Sequence, residues 1–136
     1  MNVVVVGGGQ VGGHVAQLLL TSGCQVTVIE VRSAVLARVR RDVPGATAIA
    51  GNGTDVTLLE AAGAATADVV CAVTGVDETN LAVAAIAKFG FGVGRVLARV
   101  NNPRNRWLFE TDLGVDVAVN QAELMAHLVV QGIDLT

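Results

Sequence analysis

The chain has 136 residues, 52% of them hydrophobic and only 3% aromatic, with a formal net charge of −3. That length suits one domain with a real core, burying roughly two-thirds of the unfolded surface. The longest apolar run, seven residues from Leu81 to Ala87, falls far short of a membrane span, which needs about 20. Eight arginines and one lysine are scattered rather than striped, which argues against a nucleic-acid surface.

No charged stretch precedes a long apolar one near the start, so no signal peptide is expected. Cys24 and Cys71 match neither a redox pair nor a metal cluster. A reduced, cytoplasmic compartment is the expectation.

In chain order, β-branched runs at Asn2–Val6, Gln25–Ile29, Thr47–Ala50, Asp68–Val73, Arg95–Arg99 and Asp116–Val119 read as strands. Helical stretches separate them. In the first, Val11, Val15, Leu18 and Leu19 follow the i, i+4, i+7, i+8 spacing of a buried stripe. Ser33, Thr54 or Asp55, Asp77, and Asn102 followed by Pro103 read as helix starts, and Gly23 and Gly90 as helix stops. Asn120 with Glu123 resembles a capping box opening a last helix that ends near Gly132. Six strand–helix alternations with no hairpin signal predict right-handed crossovers. The fold class is therefore α/β, a doubly wound parallel sheet with helices on both faces, and the six strands are expected in the Rossmann-type order 3-2-1-4-5-6.

The first strand runs into Gly7-x-Gly9-x-x-Gly12, and a helix follows at once. Gly7 permits a tight turn, Gly9 lets backbone approach a ligand, and Gly12 lets the helix pack on the strand. A helix N-terminus offers unpaired N–H groups and partial positive charge to a diphosphate. Glu30 ends the second strand, 18 residues after Gly12, where a carboxylate accepts from both ribose hydroxyls and repels a 2′-phosphate. Arg32 could stack on adenine or attract a phosphate, so NADP is disfavoured rather than excluded.

In this strand order the ligand lies where the first and fourth strands part. Thr74, Asp77 and Asn80 after the fourth strand are candidates for polar contacts there, although Asp77 could merely cap its helix with Asn80 in support. The turn Ala50–Asp55 should lie near the adenine end. Arg99, closing the fifth strand, could pair with a phosphate or form a structural salt bridge. His14 and His127 read as exposed helix positions and Cys71 as a packing residue. Trp107, with Leu108 and Phe109, reads as packing a helix on the sheet or a partner subunit.

The blocks VVVVGGGQVG, the acid at Glu30, GNGTD, AVTGVDETN, ARVNNPRN and LGVDVAVN resemble, in succession and over essentially the whole chain, the RCK/KTN (TrkA-N) domains. These are the TrkA- and KtrA-type cytosolic regulators of bacterial potassium uptake and the regulatory rings of potassium channels. The resemblance implies a Rossmann lobe that binds NAD(H) or an adenine nucleotide such as ATP, ADP or AMP. It carries over Gly7, Gly9, Gln10, Val11, Gly12, Glu30, Asn52, Thr74, Asp77 and Arg99 as binding residues. Two departures stand out. The family often has Gly-Asp where this chain has Gly51-Asn52. Its members also commonly continue through a crossover helix into a smaller C-terminal lobe, so residues 1–136 are expected to be a single nucleotide-binding lobe without it.

Three functions follow from different classes. One is a non-catalytic nucleotide sensor in the cytoplasm at the inner face of the membrane. It would gate a membrane potassium transporter or channel subunit from a homodimer or ring, without nucleic acid and without entering the bilayer itself. The others are the NAD-binding half of an oxidoreductase and an assembly module with a vestigial site. The chain has no tyrosine, and its lone lysine, Lys88, falls near a helix end. No acid–base pair is evident for substrate proton transfer, and the sensor reading is preferred. Leu124, Leu128 and Val129 on the last helix are the expected assembly contact, unless that helix simply covers the last strand.

Overall fold

A computed structural model describes residues 1–133; the final three residues of the expected 1–136 domain lie outside it. Six parallel strands, β1 (Asn2–Val6), β2 (Gln25–Glu30), β3 (Thr47–Ala50), β4 (Val69–Ala72), β5 (Arg95–Val100) and β6 (Val117–Asn120), form one sheet in the order β3-β2-β1-β4-β5-β6. The expected order is observed. Because β1 is central, its valines are buried on both faces, which explains a run of four with no polar alternation. Val3 and Val5 pack beneath α1 (Gln10–Thr21) and α2 (Ser33–Asp42). Val4 and Val6 belong to the opposite core, which holds Leu59 of α3 (Val56–Ala61), Val83 of α4 (Asp77–Ala85) and Phe109 of α5 (Arg106–Phe109).

The local signals acted unevenly. Asp55 caps α3 through the amides of Thr57 and Leu58, and Asn102 caps the 3₁₀ turn at Pro103–Asn105. Gly23 has φ +89° and closes α1 with paired bonds, Gly23 N to Leu20 O and Cys24 N to Leu19 O. Ser33 is not the cap: Arg32 takes that position with its amide held by Glu30, and the helix begins at Ser33 itself. Gly90 is the last residue of the helical run, as expected, but it is not the left-handed residue that closes it. The chain continues through a π turn (Ile86–Gly90), and Gly92, at φ +67°, takes the left-handed position while Val93 N reaches back to Ala87 O. Trp107 is exposed, and its neighbour Phe109 fills the core instead.

The last helix, α6 (Gln121–Ile133), is capped by Asn120, whose Oδ1 accepts from the Glu123 amide at 2.8 Å. The Glu123 side chain does not return to the cap; it pairs with Arg106. Every residue of α6 is exposed, so the helix stands off the sheet rather than covering β6.

Gly7 adopts φ +108°, and a Cβ there would press on the backbone of Val73 and Thr74 at 3.0 Å. A Cβ at Gly12 would overlap the carbonyl oxygen of Gly7. Backbone has no rotamer with which to yield, so Gly12→Ala is expected to cost about 3 kcal/mol or more, measured by urea unfolding. A loss under about 0.5 kcal/mol, the size of a neutral surface change, would mean that α1 can back away from the turn freely.

Candidate functional site

The chain leaves β1 for α1 on one face of the sheet and β4 for α4 on the other, which opens a crevice at their C-terminal ends. A cavity of about 280 Å³ lies there, lined by Gly7, Glu30, Arg32, Asn52, Thr74 and Val76 among others. On its β1 side, the Gly7 amide donates to Ile29 O at 2.8 Å and fixes the turn. The N-cap of α1 is Gly9, with no side-chain cap and no acid in the first turn. The amides of the first turn and the positive end of the helix dipole are therefore unclaimed by any side chain, the arrangement that suits a phosphate.

Glu30 ends β2 and is almost wholly buried. Its Oε1 accepts from the Gly8 amide at 2.9 Å and from Arg32 Nη2 at 3.0 Å. Its Oε2 accepts from the Arg32 amide at 2.7 Å and Arg32 Nε at 3.1 Å. Burial alone would push this carboxyl up. The Arg32 guanidinium and the two amides outweigh it and hold the pKa at about 2. The acid is therefore ionised at any physiological pH, as a ribose acceptor must be.

The opposite wall is held by a buried amide, Asn80, and a buried carboxylate, Asp77. Asn80 is fully buried: its Oδ1 accepts from the Thr74 amide and hydroxyl at 3.0 and 2.6 Å, and its Nδ2 donates to Thr74 O and Arg99 O. Asp77 turns away from the amides of its own helix. It accepts from Asn101 N at 2.6 Å, Asn102 N at 2.9 Å and Asn105 Nδ2 at 2.8 Å, with a further bond from Asn101 Nδ2. Burial opposes its charge, but these donors prevail and keep its pKa below the usual carboxylate range. At the far end, Asn52 Oδ1 is taken by the Thr54 amide and hydroxyl, which shapes the loop after β3.

The sequence-derived residues thus divide by place. Gly7, Glu30, Arg32, Asn52 and Thr74 share the crevice cavity. Gly9 and Gln10 line a neighbouring groove beside α2, Gly12 locks α1 to the turn, and Asp77 secures the loop after β5. Val11 and Arg99 lie instead on an apolar groove of about 510 Å³ with Val15, Cys71, Leu97 and Leu124. Arg99 pairs with no carboxylate among the described residues; its Nη2 donates to Gln121 Oε1 at 3.1 Å, and its buried Nε has no partner among them. Burial pushes the Cys71 thiol up to about 11, so it stays a neutral packing group.

Asn101 and Asn105, the donors to Asp77, were not singled out from the sequence. Nothing local marks them, because their partner lies 24 residues or more away. Gly8 was also missed, since a backbone donor has no residue-type signature. No histidine, cysteine or lysine lines the crevice cavity, and no cluster of three or more metal-ligating residues occurs among the described residues.

Strand order, glycine turn and acid together define a Rossmann-type fold of the dinucleotide-binding kind. The chain belongs to the TrkA-N domain family, whose model matches residues 3–121. It is 38% identical over 135 residues to the Trk system potassium uptake protein TrkA of Mycobacterium tuberculosis; the match covers 99% of this chain and 60% of that protein. Among solved structures, it resembles the NAD(P)-binding domain of an exopolyphosphatase-related protein from Archaeoglobus fulgidus. The TM-score is 0.82 at 19% identity, with 98% of both chains covered. It also resembles the Shewanella denitrificans Kef C-terminal domain in its AMP-bound form, with a TM-score of 0.74 at 20% identity over 99% of this chain and 81% of that one. At such identities the two structures speak to the fold alone.

The Glu30 carboxyl sits at about 2 in the folded chain, against about 4.3 when unfolded. A lowered native pKa stabilises fully above the unfolded value and is lost as pH falls towards the folded one. Glu30→Gln is expected to be about 1.5–3 kcal/mol less stable at pH 7. The gap should narrow between about pH 4.5 and 2, read by urea unfolding at stepped pH. A gap constant over that range would contradict the charge-assisted bonding.

Proposed function

We propose that this chain is a nucleotide-sensing lobe of a potassium-uptake regulator, binding NAD(H) or an adenine nucleotide without chemical turnover. The observation that carries it is the uncapped N-terminus of α1 set directly beside an ionised Glu30, whose carboxylate the Gly8 amide reaches at 2.9 Å, within a chain of the TrkA-N family. In this reading the first-turn amides from Gly9 to Gly12 hold the diphosphate and Glu30 takes the ribose hydroxyls. Asn52 faces the adenine end, and Thr74 carries the contact across to β4. A 2′-phosphate would meet the Glu30 charge, so NADP is disfavoured. Among the described residues the crevice cavity offers no histidine, cysteine or lysine to move a substrate proton, which supports sensing over hydride-transfer chemistry. The chain spans about 60% of the M. tuberculosis TrkA protein it matches, and the remainder of such a protein would supply what this lobe lacks.

The signal would be a population shift. A nucleotide bridging the turns after β1 and β4 favours one arrangement of paired lobes only by its difference in affinity for the two. A membrane transporter or channel subunit that reads that arrangement must change nucleotide affinity in return. No helix among the described residues is long and apolar enough to cross a membrane. In this reading the lobe acts from the cytoplasmic side through its partner. The exposed Leu124, Leu128 and Val129 of α6, each about half accessible, are the proposed contact in a homodimer or ring.

Calorimetry with NADH, NAD, ADP and AMP tests the ligand. Micromolar or tighter binding of at least one, weakened about tenfold or more by Glu30→Ala, is expected, with NADH absorbance unchanged over hours. No binding, or steady NADH oxidation, would overturn the reading. Leu124→Glu with Leu128→Glu is expected to convert the assembly to monomers in analytical ultracentrifugation; an unchanged sedimentation coefficient would remove α6 as the interface.

A further inference from the structure

The Glu30 carboxylate has about four acceptor positions, and all four are filled: two by the backbone amides of Gly8 and Arg32, two by the Arg32 guanidinium. A ribose diol has nowhere to bind until one pair of donors leaves. The backbone amides are fixed by the glycine turn and by the start of α2, whereas the Arg32 side chain is 61% exposed over a Glu30 side chain that is 3% exposed. The guanidinium is the removable pair. Its other neighbour is the glycine turn, where a Cβ at Gly9 would lie 3.5 Å from Arg32 Nη2. One cation therefore sits between the ribose acceptor and the uncapped N-terminus of α1.

We infer that Arg32 is a specificity-determining residue acting by exchange: a ligand's vicinal diol replaces the guanidinium on Glu30, and the freed guanidinium closes on the same ligand's phosphate. This rests on the nucleotide-binding reading above and adds to it a requirement for both groups in one molecule. Hydroxyl donors are weaker partners for a carboxylate than a guanidinium fork, so the diol alone cannot complete the exchange on favourable terms. A phosphate restores a bidentate anionic partner to Arg32 beside the helix end that already favours it. A nucleoside without phosphate and a 2′-deoxynucleotide each supply half of what the site requires.

The test is calorimetric titration of the purified 136-residue chain with ADP, adenosine and 2′-deoxy-ADP, and of its Arg32→Gln and Arg32→Lys variants with the same three. The native chain is expected to prefer ADP over adenosine and over 2′-deoxy-ADP by at least about tenfold each. Arg32→Gln should bind ADP more weakly and adenosine more tightly, so that the ADP-to-adenosine ratio falls at least about tenfold, with Arg32→Lys between. The opposite signs are diagnostic: stacking on adenine, or a merely structural role, would weaken both ligands together. Equal losses for both ligands, or a ratio unchanged in either variant, would overturn the exchange while leaving nucleotide binding intact. Absence of binding by the native chain to ADP and NADH alike would overturn both.

Discussion

The contact between Gly12 and the carbonyl of Gly7 is the constraint on which the crevice depends. A single methyl at residue 12 would occupy the space of that oxygen, so α1 can start where it does only because no side chain is there. That closeness brings the first-turn amides of α1 directly beside the end of β1. It also sets the Gly8 amide 2.9 Å from the Glu30 carboxylate. The anion-favouring helix end and the acid ionised at physiological pH are therefore products of one backbone approach, and neither could move without the other.

Across the crevice the means are different. Buried side chains, not close backbone, hold the wall formed after β4 and β5. Asn80 ties the Thr74 turn to the end of β5, and Asp77 gathers the amides of Asn101 and Asn102 with the side chain of Asn105. Unpaired, each of these polar groups would cost about 1–3 kcal/mol, so the wall is rigid because the network is complete. In the proposed function, a ligand spanning a glycine turn and such a wall would bind according to their separation, which gives it a means of favouring one arrangement over another. The polar groups with the most freedom at this site are exposed: the Arg32 side chain and the loop at Asn52. The apolar face of α6 is just as exposed, and in the proposed function it is the assembly contact.

Most of the fold was legible because parallel strands buried on both faces leave little choice of residue. The four valines of β1 and the β-branched runs of β2 and β5 announce themselves, a crossover after each strand makes the sheet parallel, and the glycine turn with its acid points to the Rossmann-type order. The glycine turn and Glu30 were legible because their spacing reflects backbone geometry. What was not legible depended on distant partners. Asp77 reads as a cap in sequence, yet its donors lie on another loop. Gly90 reads as a stop and the helical run does end there, but as a π turn whose left-handed residue is Gly92. The amphipathic stripe of α6 looks the same whether it covers its own sheet or stands clear of it. Arg32 over Glu30 is an intermediate case: residues two apart in extended chain share a face, a signal the pattern contained.

Backbone amide NMR of the isotopically labelled chain during ADP titration tests the central claim most directly. The account predicts saturable shifts concentrated at Gly7–Gly12, Glu30, Gly51–Asn52 and Thr74–Val76, the largest in the first turn of α1. Shifts confined to the apolar groove around Val15, Leu97 and Leu124, or no saturable shift at any residue, would contradict it.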